Sequence, residues 1–151
     1  VVGELVKSFR LSRPCPADVR ERVAPALADR LQAGLPAVSL VSQAATISAI
    51  ANDQGADLVY AQQLVALGRP GDVLIGFSTS GMSANIRAAC EVASALEIAT
   101  VLFTGTRCPA DVRDSVDVAV VVPAAETAAV QEYHLACYHA LCAALERVFF
   151  G

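Results

Sequence analysis

The chain has 151 residues, of which 55% are hydrophobic and only 17% charged, with a mean hydropathy of +0.51. This composition excludes a disordered protein and supplies material for one compact domain, with an apolar surplus that predicts burial between subunits. The net charge of −4, with 11 scattered basic residues, offers no basic stripe for nucleic acid. The five cysteines form no Cys-x-x-Cys pair, which points to reduced thiols in the cytoplasm rather than a disulfide framework or a thiolate zinc knuckle.

Residues 1–9 have a helical pattern, as if ending a helix begun earlier, and the absence of an initial Met implies that Val1 is not the true start. Two prolines then break the pattern, and residues 17–32 read as a charged helix closed by Gly34. Residues 36–41 form the first expected strand, and helices follow at about 44–52 and 57–67. The uncharged stretch 31–52 contains Gly34, Pro36 and Gln43 and resolves into loop, strand and helix, which excludes a membrane span. After a turn at 68–71, the apolar run 72–77 is a buried parallel strand, 78–83 a hydroxyl-rich loop and 84–96 a helix. Further strands are expected at 99–104 and 117–122, and a long helix at about 125–150. The alternation predicts an α/β three-layer sandwich, a parallel sheet flanked by helices. The hexapeptide Cys-Pro-Ala-Asp-Val-Arg occurs at 15–20 and again at 108–113, and marks two helix starts with Pro early and Asp in the first turn.

The loop Ser78-Thr79-Ser80-Gly81-Met82-Ser83 joins a strand end to a helix start. Free N–H groups and hydroxyls there suit a phosphate ester, and no lysine makes it a nucleotide P-loop. A plain helix N-cap with spare hydroxyls is the competing explanation. On the last helix, Gln131 and His139 lie about 80° apart in projection and about 12 Å apart along the axis, so they share a face. His134 falls off that face and is expected at the surface or an interface. Glu4 is a lone carboxylate in an apolar segment. Asn52 and Asp53 could simply cap neighbouring helices.

Taken in order, Ile50-Ala-Asn-Asp53, Gly71-Asp-Val-Leu-Ile75, Ser78-Thr-Ser-Gly81, Leu102-Phe-Thr-Gly105 and Gln131-Glu-x-His-Leu135 followed by His139 resemble the SIS (sugar isomerase) domain family, and within it the phosphoheptose isomerases. The resemblance implies one SIS domain over 1–151, Rossmann-like and flavodoxin-type, with an insertion at 15–34. It implies a sedoheptulose 7-phosphate isomerase, cytoplasmic and homotetrameric, with sites between subunits and no nucleic-acid or membrane partner. Ser78, Thr79, Ser80 and Ser83 would hold the substrate phosphate, and Asn52 and Asp53 the sugar. Glu4 and His139 would be the catalytic base and its acid–base partner, and Glu4, Gln131 and His139 would bind one zinc ion, with Glu4 and Gln131 also touching substrate. Three features depart from the family pattern: no Asn-Gly-Gly-Ser loop and metal-binding His precede Val1, Met82 replaces an Asn, and Gly105 is not followed by Gly-Gly. A non-catalytic relative, an adaptor of the replication-initiator-binding type or a sugar-phosphate sensor, is the alternative, and His139 favours the enzyme.

Overall fold

The computed structural model describes residues 1–151. In chain order the elements are α1 (Val2–Val6), α2 (Ala17–Arg20), α3 (Pro25–Ala28), α4 (Ala44–Asp53), α5 (Ala61–Leu67), β1 (Val73–Phe77), α6 (Ala84–Ala95), β2 (Ala99–Gly105), α7 (Ala110–Asp114), β3 (Val118–Val122) and α8 (Thr127–Phe150). They fall into two compact units, one of Val1–Ser39 with Ala136–Gly151 and one of Leu40–Leu135. No helix is long and apolar enough to cross a membrane.

The second unit holds a three-stranded parallel sheet in the order β1-β2-β3. Phe77 pairs with Phe103 at the carboxyl end of β1, and Gly105 with Val122 at that of β2. Helix α6 packs on β1, β2 and α5, and α7 packs on β3. Leu64, Ala89, Ala93 and Ile98 form the core between α5, α6 and the start of β2. Leu102, Cys108 and Val112 form a second cluster beneath α7. The α/β architecture, its three strands and the long last helix agree with the sequence pattern.

Three local expectations change. The single helix expected over 17–32 is two four-residue helices, α2 and α3. Pro25 has no N–H for an interior helical bond, so it starts α3 instead of continuing α2. The strand expected at 36–41 does not form: the segment enters no ladder, and Val38 and Val41 are each 65% exposed. An apolar hexapeptide without a neighbouring edge to pair with has no reason to stay extended as a strand. The helix expected from 57 starts only at Ala61, after a run of turns.

The repeated hexapeptide does what its composition implies. Pro16 and Pro109 occupy the N-cap positions of α2 and α7 with φ of −54° and −61°, angles that the proline ring fixes in advance. Asp18 and Asp111 then lie in the first turns, where a carboxylate meets the positive end of the helix.

Candidate active site

In the second unit, the loop 78–83 leaves the carboxyl end of β1 and returns as α6. The Ser78 N–H donates to the Phe103 carbonyl at 3.0 Å, which carries the ladder one residue past β1. The Gly81 N–H then donates to the Ser78 carbonyl at 3.2 Å and closes a tight turn. Gly81 has φ +70°, a left-handed conformation that costs a residue with a Cβ about 1–2 kcal/mol. Across the turn the Ser78 and Ser83 hydroxyls meet at 3.0 Å, and the Met82 N–H reaches the Ser80 hydroxyl at 3.3 Å. Thr79 is held from below, its carbonyl accepting the Gly105 N–H at 3.1 Å.

Ser83 is the N-cap of the twelve-residue α6, but its hydroxyl makes no cap bond and turns toward Ser78 instead. The plain-cap explanation therefore loses its main prediction. Among the α6 amides, the Ile86 N–H donates to the Asn85 Oδ1 at 2.9 Å, and hydroxyls gathered at a helix start that the Ser83 side chain does not cap favour an anion.

Elsewhere in this unit, Asn52 and Asp53 are exposed at the end of α4, where the Asn52 amide donates to the Asp53 carboxylate at 2.7 Å. Gln131 is exposed on α8. His134 corrects the expectation of a surface histidine: it is 5% exposed. Its ring stands edge-on to Phe77 and Phe103, with centroids 5.7 and 6.0 Å away, and its Nε2 has no partner.

Burial lowers the His134 pKa from 6.5, opposed by a bond to the Thr104 backbone. A histidine kept neutral when folded binds fewer protons than it does unfolded. Its stabilisation is complete above pH 6.5 and is lost as the pH falls through the lowered folded value. The melting temperature of the wild type should thus drop as the pH falls below 6.5, whereas His134→Gln should flatten that limb. A limb of equal slope in both proteins would contradict the assignment.

The first unit holds Glu4 and His139. Glu4 lies in α1. His139 lies within electrostatic reach of its carboxylate. His139 is half-buried between Phe9, stacked at 5.6 Å, and Tyr138, edge-on at 4.5 Å. Glu4 and His139 are thus brought within electrostatic reach, while the phosphate loop, Asn52, Asp53 and Gln131 belong to the other unit. Carboxylate and imidazole are zinc donors in kind. However, no group of three His, Cys, Asp or Glu side chains is placed to hold a metal ion, and a Gln amide is a poor third donor. The donors of this chain fall short of the three protein ligands that a catalytic zinc takes, so no step below runs through a metal.

The SIS domain family matches residues 18–105, more than half of the chain. The chain belongs to the SIS domain family. Among its relatives, this SIS domain is 45% identical over 117 residues to the phosphoheptose isomerase of Roseiflexus sp. (strain RS-1), covering 78% of this chain and 59% of that protein. It is 38% identical over 151 residues to the phosphoheptose isomerase of Burkholderia pseudomallei (strain K96243), covering 100% and 66%. The SIS domain chain thus spans 59% to 66% of the length of these relatives. Among solved structures, the phosphoheptose isomerase GmhA from Neisseria gonorrhoeae aligns with a TM-score of 0.69 at 38% identity, over 73% of this chain and 62% of its own. A phosphoheptose isomerase from Francisella tularensis aligns with the same score at 35% identity, over 74% and 59%.

Sequence reasoning passed over two residues that bear on the site. Arg13 and Glu146 are buried and paired in the first unit. Glu146 follows His139 by seven residues, two helical turns, so an acidic residue recurring on the face of His139 was the available signal. Arg13 stands alone between Ser12 and Pro14 and carries no comparable periodicity.

Proposed function

We propose that the protein is a phosphoheptose isomerase converting sedoheptulose 7-phosphate to D-glycero-D-manno-heptose 7-phosphate. The observation that carries the reading is the pairing of the Ser78 and Ser83 hydroxyls at the start of α6, which Ser83 does not cap, joined to 45% identity with a relative of that name. Ser78, Thr79, Ser80 and Ser83 bind the phosphate, and Asn52, Asp53 and Gln131 contact the sugar. The ketose loses a proton from C1 and gains one at C2, while a hydroxyl proton moves from O1 to O2, so the change is redox-neutral. Glu4 takes the C1 proton and returns it to C2. His139 moves the proton between the oxygens.

As a family property one zinc ion per site would also belong to the reading, and Glu4 and His139 would give it two donors, short of the three that a catalytic zinc takes. A cytoplasmic homotetramer with sites between subunits belongs to the reading, and the apolar side chains left exposed, including Tyr133, Leu135, Val148 and Phe149 of α8, support burial against another subunit. The reading includes one SIS domain over residues 1–151 with an insertion at 15–34.

The test is to incubate the full chain with sedoheptulose 7-phosphate and follow the aldoheptose phosphate by NMR. Turnover is expected, and its loss with chelator and recovery with zinc would show a metal whose further ligands lie beyond Glu4 and His139. Turnover indifferent to chelator would keep the isomerase and remove the zinc. Phosphate-dependent binding without turnover would replace the isomerase with a sensor or adaptor.

A further inference from the structure

Arg13 and Glu146 form an ion pair whose side chains are both 0% exposed, with Nε 2.8 Å from Oε1. Glu146 also accepts the backbone N–H groups of Phe9, Arg10 and Leu11 at 2.9, 2.7 and 2.9 Å. These bonds pull its pKa down to about 2 against the cost of burial. The rest of the Arg13 fork points the other way. Nη1 donates to the Leu5 carbonyl at 2.6 Å and Nη2 to the Glu4 carbonyl at 2.9 Å, while the guanidinium lies 4.6 Å over the Phe150 ring.

Removing two charges from water is so unfavourable that apolar side chains of similar volume often stabilise a fold as well or better. Stability alone therefore does not account for this pair. What it supplies is direction. A planar guanidinium fixes two carbonyls and a carboxylate in one geometry, which an apolar contact cannot do. The two ends of the network terminate at the two candidate catalytic residues: Arg13 on the backbone of Glu4, and Glu146 on the backbone of Phe9, whose ring stacks on His139.

We propose that Arg13 and Glu146 are positioning residues that set the base Glu4 and the imidazole of His139 from one buried centre. This rests on the isomerase reading for the roles of those two residues. It gives Phe9 a function as the plate against which the His139 ring is oriented.

The experiment uses the full chain and two variants. Arg13→Lys keeps the charge beside Glu146 but has no planar fork to span both carbonyls. It should remain folded, with KM within about twofold and kcat lowered at least tenfold. The ring-current shift of the His139 Cε1–H signal by Phe9 should change with it. Glu146→Gln should do the same more severely and lower the melting temperature by roughly 10 °C. A purely structural pair would lower the melting temperature while leaving kcat per folded molecule and the His139 signal unmoved, and that result would overturn the proposal. In the wild type, the amides of Phe9, Arg10 and Leu11 should exchange slowly with solvent, and fast exchange would overturn it even if a variant failed to fold. If the wild type shows no turnover, the isomerase reading fails separately, and the His139 signal and amide exchange still decide the positioning role.

Discussion

Glu4→Gln should lower kcat for sedoheptulose 7-phosphate by about 10²–10⁴-fold with little change in KM, the span expected when a positioned general base is removed. The amide is nearly isosteric with the carboxylate, and Glu4 is anchored through its backbone carbonyl, which accepts from Arg13 at 2.9 Å. The side chain can therefore change without moving α1. In D₂O the wild type should exchange a C1 proton of the ketose with solvent, and the variant should not. If Glu4→Gln kept that exchange at the wild-type rate, the base would lie elsewhere. His139→Asn should give a loss of similar order, and the double variant less than the product of the two, since groups acting as one unit are not additive.

The apolar runs at 72–77, 99–104 and 117–122 foretell β1, β2 and β3 within a residue at most of the ends because parallel strands favour unbroken apolar runs, but the burial expected of 72–77 does not follow, since Val73 and Phe77 of β1 stay exposed, as do Val118 and Val121 of β3. Segment 36–41 has the same composition and yields no strand, because pairing depends on a neighbouring edge that local sequence does not encode. The hydroxyls of the 78–83 loop are legible as residue types, but the contact between Ser78 and Ser83, which draws the Ser83 hydroxyl off the α6 amides, is a matter of geometry. His134 was misplaced by a projection that treats the polar residue as outward-facing, whereas the Phe77 and Phe103 rings bury it. The Arg13–Glu146 pair spans more than 130 positions, a separation at which no periodicity or motif links two residues.

Gly81→Ala should destabilise the protein by about 2–5 kcal/mol, the sum of about 1–2 for a Cβ in the left-handed region and about 1–3 for overpacking. Gly81 has φ +70°, and a Cβ there would overlap the Cys108 sulfur and come within 3.1 Å of the Cys108 Cβ. The thiol has little room to yield, because Cys108 is buried in the cluster with Leu102 and Val112. For a chain of this size the loss corresponds to a fall in melting temperature of roughly 5–15 °C. The same displacement would move the Met82 and Ser83 end of the turn away from the Ser78 hydroxyl, so KM for the sugar phosphate should rise while kcat is less affected. Cys108→Ala removes the overlapping sulfur but not the backbone strain. Combined with Gly81→Ala, it should therefore recover the packing share of the loss and leave the strain share, a coupling that a double-mutant cycle in thermal unfolding measures. The two effects separate two ideas about the turn. If Gly81→Ala lowers stability but leaves KM unchanged, the turn is a structural corner and the phosphate lies elsewhere. If both change, and phosphate protects the wild type but not the variant against melting, the narrow turn over Cys108 is what shapes the anion site.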